Sequence, residues 1–284
     1  MTSQSEHQLF TVITGASSGL GKALAYECGE KGMNLVLIAL PHDNLLRVAG
    51  ELQKQFDIRV YAFELDLTIQ NDFDYLIQSL DDIEVNWLIN NVGKGGTISF
   101  TDVSENYLTE IINLNVRTTC LLTYQLLPKL LRHKNAFILN ISSLLSQYPT
   151  AFKTIYPASK SFIHSFSLGL RHELRNSGVS VSVAELGPML TNSDVCRRLR
   201  EKQKRAARMA ILQTEIVAKI VIDQTRRKRG LIIPGAVNKL YWLCMKLIPY
   251  RIGIPYLSNI YYREKNIKEM PVPKYHVEAT EMIV

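Results

Sequence analysis

Short runs of nearly unbroken apolar residues alternate along the chain with longer segments of helical period. The runs are Phe10–Thr14, Leu35–Ala39, Val60–Leu65, Trp87–Asn90, Phe137–Ile141, Val179–Leu186 and Leu231–Ile233. A strand with one wet face alternates apolar and polar side chains; most of these runs are apolar nearly throughout, as in strands covered on both faces. The segments between them have about the length of crossover helices. Strand alternating with helix predicts a parallel sheet in a doubly wound α/β domain. Right-handed crossovers then bring the strand C-termini to one edge, where such folds bind ligands. Beyond Pro234, Ala236–Ile248 and Pro255–Lys265 predict two helices rich in Tyr, Trp, Leu and Ile, punctuated by Pro249, Gly253 and Pro255. From Met270 onward no period is evident and no element is assigned.

Composition narrows the class. The chain has 284 residues, 46% of them hydrophobic and 21% charged. That is globular composition with ample core, and it excludes a disordered or collagen-like chain. The net charge of +7 is unevenly placed: Arg197–Arg229 holds 12 basic and 3 acidic residues, leaving the remainder at −2. Cys28, Cys120, Cys196 and Cys244 are widely separated. No metal site or disulfide framework is predicted; they read as reduced thiols in a cytoplasmic setting. The N-terminus carries Glu6 and no basic stretch, unlike a secretory signal. No run reaches the eighteen uncharged apolar residues of a membrane-spanning helix.

The first run leads into Thr14-Gly15-Ala16-Ser17-Ser18-Gly19-Leu20-Gly21, with a helix predicted through Lys22–Glu30. Glycines at 15, 19 and 21 permit a tight turn, and the helix N-terminus offers free N–H groups to a pyrophosphate. An ordinary βα turn uses glycine in the same way. Asp66, at the end of the third run, suits an adenine amino group and equally suits a cap for the helix after Leu67. Asn90-Asn91-Val92-Gly93 ends the fourth run. Asparagine there can tie strand ends together and Gly93 can leave room for a ribose, although both residues also favour plain turns.

Ser142-Ser143 closes the fifth run, and Tyr156-Pro157-Ala158-Ser159-Lys160 opens a helical segment. Tyr156 and Lys160, four residues apart, share one helix face. A tyrosine serves as a base near neutral pH only where positive charge stabilises its phenolate, and Lys160 could supply that charge. Ser143 could hydrogen-bond a reacting carbonyl oxygen. A Tyr/Lys pair alone could also be a surface pair at a helix start.

TGASSGLG, Asp66, NNVG, Asn115, ISS, YPASK and LGPMLT occur in one order. This set resembles the classical short-chain dehydrogenase/reductase family over roughly residues 9–235. The resemblance implies a single Rossmann-type domain with about seven parallel strands. It implies Tyr156 as general acid/base, Lys160 on the nicotinamide ribose, Ser143 orienting the carbonyl and Asn115 holding a relay water, with Asn113 as its rival. It also implies cofactor contacts from Gly15, Ser17, Ser18, Gly19, Leu20, Gly21, Asp66, Leu67, Asn91, Gly93, Tyr156, Lys160, Gly187 and Thr191. Three departures fall near the substrate side or the cofactor edge: NNVG for the commoner NNAG, Ser146 where glycine often stands, and Leu186-Gly187 for Pro-Gly.

No acid ends the second run at Ile38-Ala39-Leu40-Pro41, so the usual reader of a ribose 2′-hydroxyl is missing. The family's basic readers of a 2′-phosphate, at the positions of Ser18 and Leu40, are missing too. Ala39 leaves space, and Ser17, Ser18 and His42 could donate bonds, which points to NADP(H) with NAD(H) still open. Arg197, Arg198, Arg200, Lys202, Lys204, Arg205 and Arg208 would be either a solvated face or a site for an acidic carrier. The expected organisation is a dehydrogenase domain at 1–235, a helical extension on or near the substrate cleft at 236–269, and a tail at 270–284. The extension resembles those of ketoreductases for long acyl or steroid-like ketones. The expected function is NADP(H)-dependent interconversion of a secondary alcohol and a ketone on a bulky apolar substrate, in a homo-oligomer. A non-catalytic nucleotide-binding regulator and a peripheral membrane lipid binder are the alternatives, and peripheral membrane contact is compatible with the enzyme as well. Nucleic acid is not an expected partner, because no recognition motif accompanies the charge.

Overall fold

A computed structural model of the chain describes residues 8–190 and 210–268. Thr191, the basic residues Arg197–Arg208 and the tail from Met270 lie outside the described residues, so the expectations placed on them are not addressed by it.

Seven strands form one parallel sheet. They are β1 (Phe10–Thr14), β2 (Asn34–Ala39), β3 (Val60–Glu64), β4 (Val85–Asn90), β5 (Ala136–Ser143), β6 (Val179–Leu186) and β9 (Leu231–Ile232), in the spatial order β3-β2-β1-β4-β5-β6-β9. The short strands β7 (Met189–Leu190) and β8 (Leu212–Gln213) pair separately, also in parallel. Alternate residues of each strand enter opposite layers. Leu35, Leu37 and Ala39 of β2 pack with the helices α1 (Gly19–Glu30), α2 (Leu45–Phe56) and α7 (Thr214–Arg226). Val36 and Ile38 point the other way, toward α3 (Gln70–Ser79) and α5 (Thr118–Leu130). Two apolar layers account for strands without polar alternation, and the sheet is the expected doubly wound one.

The order reverses between β1 and β4, so the crevice beyond their C-terminal ends is the topological switch point where ligands bind in such sheets. Side chains tie these ends together. Asn91 Nδ2 donates to the carbonyl oxygens of Thr14 (2.9 Å) and Gly15 (3.2 Å). One level deeper, Asn90 Nδ2 donates to Asn140 Oδ1 at 2.8 Å, and Asn140 Nδ2 to Ser167 Oγ at 2.9 Å. Ser167 lies on α6 (Ile155–Glu173), so this buried chain joins β4, β5 and α6.

The C-terminal helices are α8 (Ala236–Leu247) and α9 (Tyr250–Lys268). α9 begins five residues earlier than the sequence suggests and carries Pro255 inside it. Its start is fixed by a tertiary contact. The Tyr148 hydroxyl is within donating distance of the carbonyl oxygens of Ile248 (3.1 Å) and Pro249 (2.8 Å), and the Tyr148 and Tyr250 rings meet edge to face at 5.0 Å. Gly253 N then donates back to Pro249 O, closing the first turn ahead of the proline. Ala151 N donates to Ser258 Oγ at 3.0 Å, and Phe152 meets Tyr262 at 5.4 Å. The extension therefore rests on residues 148–152, which link Ser143 to Tyr156.

Candidate active site

The turn after β1 needs its glycines. Gly15 and Gly19 have φ of +66° and +52°, and a Cβ on Gly21 would lie 1.9 Å from the Gly15 carbonyl oxygen. α1 opens behind them with Ser18 as an extended N-cap whose side chain makes no capping bond, and no acid occupies its first turn. Its first N–H groups have no intrahelical acceptors and can meet an anion. Leu20 sends its side chain into the core, so only its backbone faces this edge. Ser17 is buried beside the turn and Ser18 is exposed.

Asp66 is half-buried, and its Oδ1 accepts from Thr68 N (2.9 Å) and Thr68 Oγ1 (2.7 Å). The local turn thus engages one carboxylate oxygen. The side chain of Leu67 is buried in the α3–α5 layer. Gly187, after β6, packs on the buried Asn238 of α8, whose Nδ2 donates to the carbonyl oxygens of Ala210 and Pro234. Sequence reasoning missed Asn238; a lone amide within an apolar helix was the available signal.

The residues expected to do chemistry converge at the ends of β4 and β5. Lys160 is only 5% exposed, and its Nζ donates to the Ile141 carbonyl of β5 at 3.0 Å. Burial lowers its ammonium from the usual lysine value to about 8. Nζ also lies 5.8 Å from the centre of the Tyr156 ring. Burial raises the Tyr156 phenol above its ordinary value, while a hydrogen bond with the Ser143 hydroxyl pulls it back down. Ser143 is held by the turn behind it, where Leu145 N donates to its Oγ at 3.2 Å.

Asn115 reaches this cluster through a π-helical turn, Asn113–Arg117, between α4 (Glu105–Ile112) and α5. The inserted residue re-aims the helix. Asn115 becomes 1% exposed and faces the site, whereas the carbonyl of Asn113 accepts from Thr118 Oγ1 within the turn. Lys94 N donates to Asn115 Oδ1 (2.8 Å), and Asn115 Nδ2 donates to Lys94 O (2.9 Å) and Ser159 Oγ (3.0 Å). Both amide atoms are engaged in clamping the loop after β4 to α6. Gly93 leads into that loop, and a Cβ there would lie 3.1 Å from Lys160 Nζ and 3.3 Å from Asn115 Oδ1. A methyl there would crowd both groups. A lysine with donors beyond its one backbone bond, beside a glycine turn that opens a helix, fits a nicotinamide dinucleotide.

The short chain dehydrogenase family profile matches residues 10–204. A very-long-chain 3-oxoacyl-CoA reductase of Anas platyrhynchos is 36% identical over 177 residues, covering 61% of this chain and 57% of that protein. The protein of the same description from Mus musculus is 29% identical over 249 residues, covering 84% and 78%. The chain therefore spans little more than half the length of the first of these relatives. A short-chain dehydrogenase from Sphingobium yanoikuyae, solved in complex with NADPH, superposes with a TM-score of 0.73 over 93% of this chain and 97% of that one, at 23% identity. At that identity the likeness is one of fold.

The buried ammonium has a consequence for stability. Folding lowers the Lys160 pKa, so between about 8 and the unfolded value of roughly 10.4 the unfolded chain binds more protons. Stability attributable to this group therefore rises with pH across that window. In Lys160→Met the contribution is absent. Denaturant titrations from pH 8 to 10 should show the wild type gaining stability relative to the variant; a difference that stays flat with pH would show that the ammonium is not buried as described.

Proposed function

The chain belongs to the short-chain dehydrogenase family, and from that premise we propose that it is an NADP(H)-dependent oxidoreductase interconverting a secondary alcohol and a ketone. The observation that carries the reading is the convergence of Ser143, Tyr156, Lys160 and Asn115 at the sheet edge that also holds the Gly15–Gly21 turn. A bound nicotinamide would supply the hydride. Ser143 and Tyr156 present hydroxyls to one point, where a ketone oxygen can accept from both. Tyr156 gives its phenolic proton to that oxygen as the alcohol forms and takes it back in the reverse direction. Lys160 stabilises the phenolate left behind, and its buried ammonium acts strongly there because little water screens it. Asn115 keeps the loop after β4 in place over Lys160.

The pocket beside the Tyr156 ring is lined mainly by apolar side chains, among them Ile98, Phe100, Leu108 and Ile155, with Tyr107 and Lys153 on its wall. The two curated relatives are both named as reductases of 3-oxoacyl thioesters, ketones on long apolar chains. These features support a bulky acyl ketone as substrate. If Tyr156 moves the proton, Tyr156→Phe lowers kcat by roughly 10²–10⁴-fold and leaves NADPH affinity nearly unchanged. A near-normal kcat would remove the assignment, and a wild-type protein that binds NADPH without reducing any ketone in a panel would favour a non-catalytic nucleotide binder.

NADP(H) is favoured because no carboxylate stands at Ala39 or Leu40, where it would repel a 2′-phosphate. Leu40 is 48% exposed and can be changed without disturbing the core. Leu40→Arg should tighten NADPH relative to NADH, and Ala39→Asp should do the reverse by like-charge repulsion. Ala39 is buried, so its variant must first be shown to fold. A wild-type preference for NADH in fluorescence titration would refute the cofactor assignment.

The helix pair α8–α9 also suits an anionic lipid surface. From Ala236 to Arg263 the chain has four basic residues and no acid. Leu240, Leu247, Ile252 and Tyr256 are all well exposed there. Among the described residues no helix is long and apolar enough to cross a membrane. Exposed apolar side chains beside lysine and arginine match an interfacial contact. Co-sedimentation with phosphatidylserine vesicles should exceed that with phosphatidylcholine vesicles and fall in Lys246→Glu/Arg251→Glu. Equal sedimentation of wild type and variant would exclude this contact.

A further inference from the structure

Glu185 sits on β6 with 0% exposure, in register with Ser142 and one residue before Leu186, the register partner of Ser143. Its Oε1 accepts from Ser146 Oγ at 2.9 Å and Gln147 Nε2 at 2.6 Å. His164 Nδ1 lies 2.6 Å from the same oxygen without hydrogen-bond alignment. The other carboxylate oxygen is buried without a partner. Ser146 and Gln147 belong to the 3-10 turn Leu144–Gln147 that directly follows Ser143. His164 lies on α6, one turn beyond Lys160 and two beyond Tyr156. One buried oxygen therefore gathers the turn behind Ser143, the helix of Tyr156 and Lys160, and the strand leading to Gly187.

Stability does not account for this group. Removing a carboxylate from water is costly, an unpartnered oxygen adds to the cost, and an apolar residue of similar volume usually serves a core as well or better. What an apolar residue could not do is direct the Ser146 hydroxyl and the Gln147 amide to one point. Ser146 is also the residue that replaces the glycine common at this place in resembling proteins, so the departure supplies the donor that the buried acid receives.

We infer that Glu185 is a positioning residue that sets where Ser143 stands against Tyr156 by holding the Leu144–Gln147 turn to β6, beside His164 of α6. The inference rests on the functional reading above for its kinetic consequence, but not for its structural one. Three variants test it: Glu185→Leu, Glu185→Gln, which keeps an acceptor oxygen, and Ser146→Ala. Glu185→Leu leaves the Ser146 and Gln147 donors without their acceptor, so its melting temperature should fall by a few degrees while it binds NADPH within about twofold. Its kcat for ketone reduction should fall roughly 10- to 100-fold, the scale of a small misplacement of reacting groups, with KM little changed. Glu185→Gln should recover much of that loss. Ser146→Ala should lower kcat alone yet cost little more when added to Glu185→Leu, because both remove one link. Hydrogen exchange reads the positioning without turnover: protection of residues 144–147 should drop in Glu185→Leu and persist in Glu185→Gln. Unchanged protection in Glu185→Leu overturns the inference whether or not the protein reduces a ketone. A kcat within twofold of wild type, or a kcat loss matched by an equal loss of NADPH binding, overturns it as well. Absence of turnover in the wild type, with the protection changes as expected, counts against the functional reading and leaves the positioning role in place.

Discussion

A lysine ammonium withdrawn from water must be compensated by fixed acceptors, and much of this site follows from how Lys160 meets that demand. The Ile141 carbonyl of β5 accepts a hydrogen bond from it. This bond draws α6 against the end of the strand and brings Tyr156, one helical turn earlier, beside Ser143. It also explains why the loop after β4 is bare at Gly93, since a Cβ there would crowd the ammonium at 3.1 Å. A surface Tyr/Lys pair would have none of these constraints, because water would satisfy both groups. The same sequence spacing is ordinary when exposed and chemically loaded when buried.

Holding a charge in a fixed place requires a rigid surround, and the structure supplies it with polar side chains inside an otherwise apolar sheet. Asn90, Asn140 and Ser167 form a buried chain across β4, β5 and α6, with Thr123 accepting a second bond from Asn90. Such groups add little net stability, since they exchange water for one another, but each is expensive to leave unpaired. Strand register beneath the site is therefore strongly specified. Above it, the tie of Asn91 to Thr14 and Gly15 fixes the switch point, and the clamp of Asn115 on Lys94 and Ser159 fixes the loop. Asparagine recurs because its amide donates and accepts at once, which suits a junction between two backbone ends.

The sheet was legible in the sequence because its physical cause is written locally. Strands covered on both faces need apolar residues at nearly every position, and runs such as Leu35–Ala39 have no other reading at that length between glycine-rich and helical segments. The glycine turn and the Tyr156–Lys160 spacing were legible for the same reason. What the sequence hid depends on contacts between distant residues. The start of α9 looked like a break because Pro249, Gly253 and Pro255 are local stop signals, and only Tyr148, a hundred residues away, shows why the helix begins there. Asp66 was given two readings, and the structure shows the local-turn component through Thr68. The engagement of the Asn115 amide with Lys94 was invisible, since it requires a π-helical turn that no propensity announces. Glu185 was passed over because one acid inside a strand carries no period; its meaning lies in donors from a turn and a helix elsewhere in the chain.

The segment between Ser143 and Tyr156 joins these observations. Its first part, Leu144–Gln147, is held from below by Glu185, and its second, residues 148–152, is held from outside by α8 and α9. In the proposed reaction the two ends of the segment carry the hydroxyls that would meet at one ketone oxygen. A connection of this length would otherwise sample many conformations, and each would move Ser143 relative to Tyr156. Anchoring it on both sides removes that freedom without placing any further polar group at the reacting point. The apolar wall next to Tyr156 can then vary with substrate while the hydroxyl pair stays fixed. This is the physical basis for a family that keeps its chemistry and changes what it acts on. It also ties the C-terminal helices to this segment, because the helix pair that steadies it from one side exposes apolar and basic side chains elsewhere on its surface.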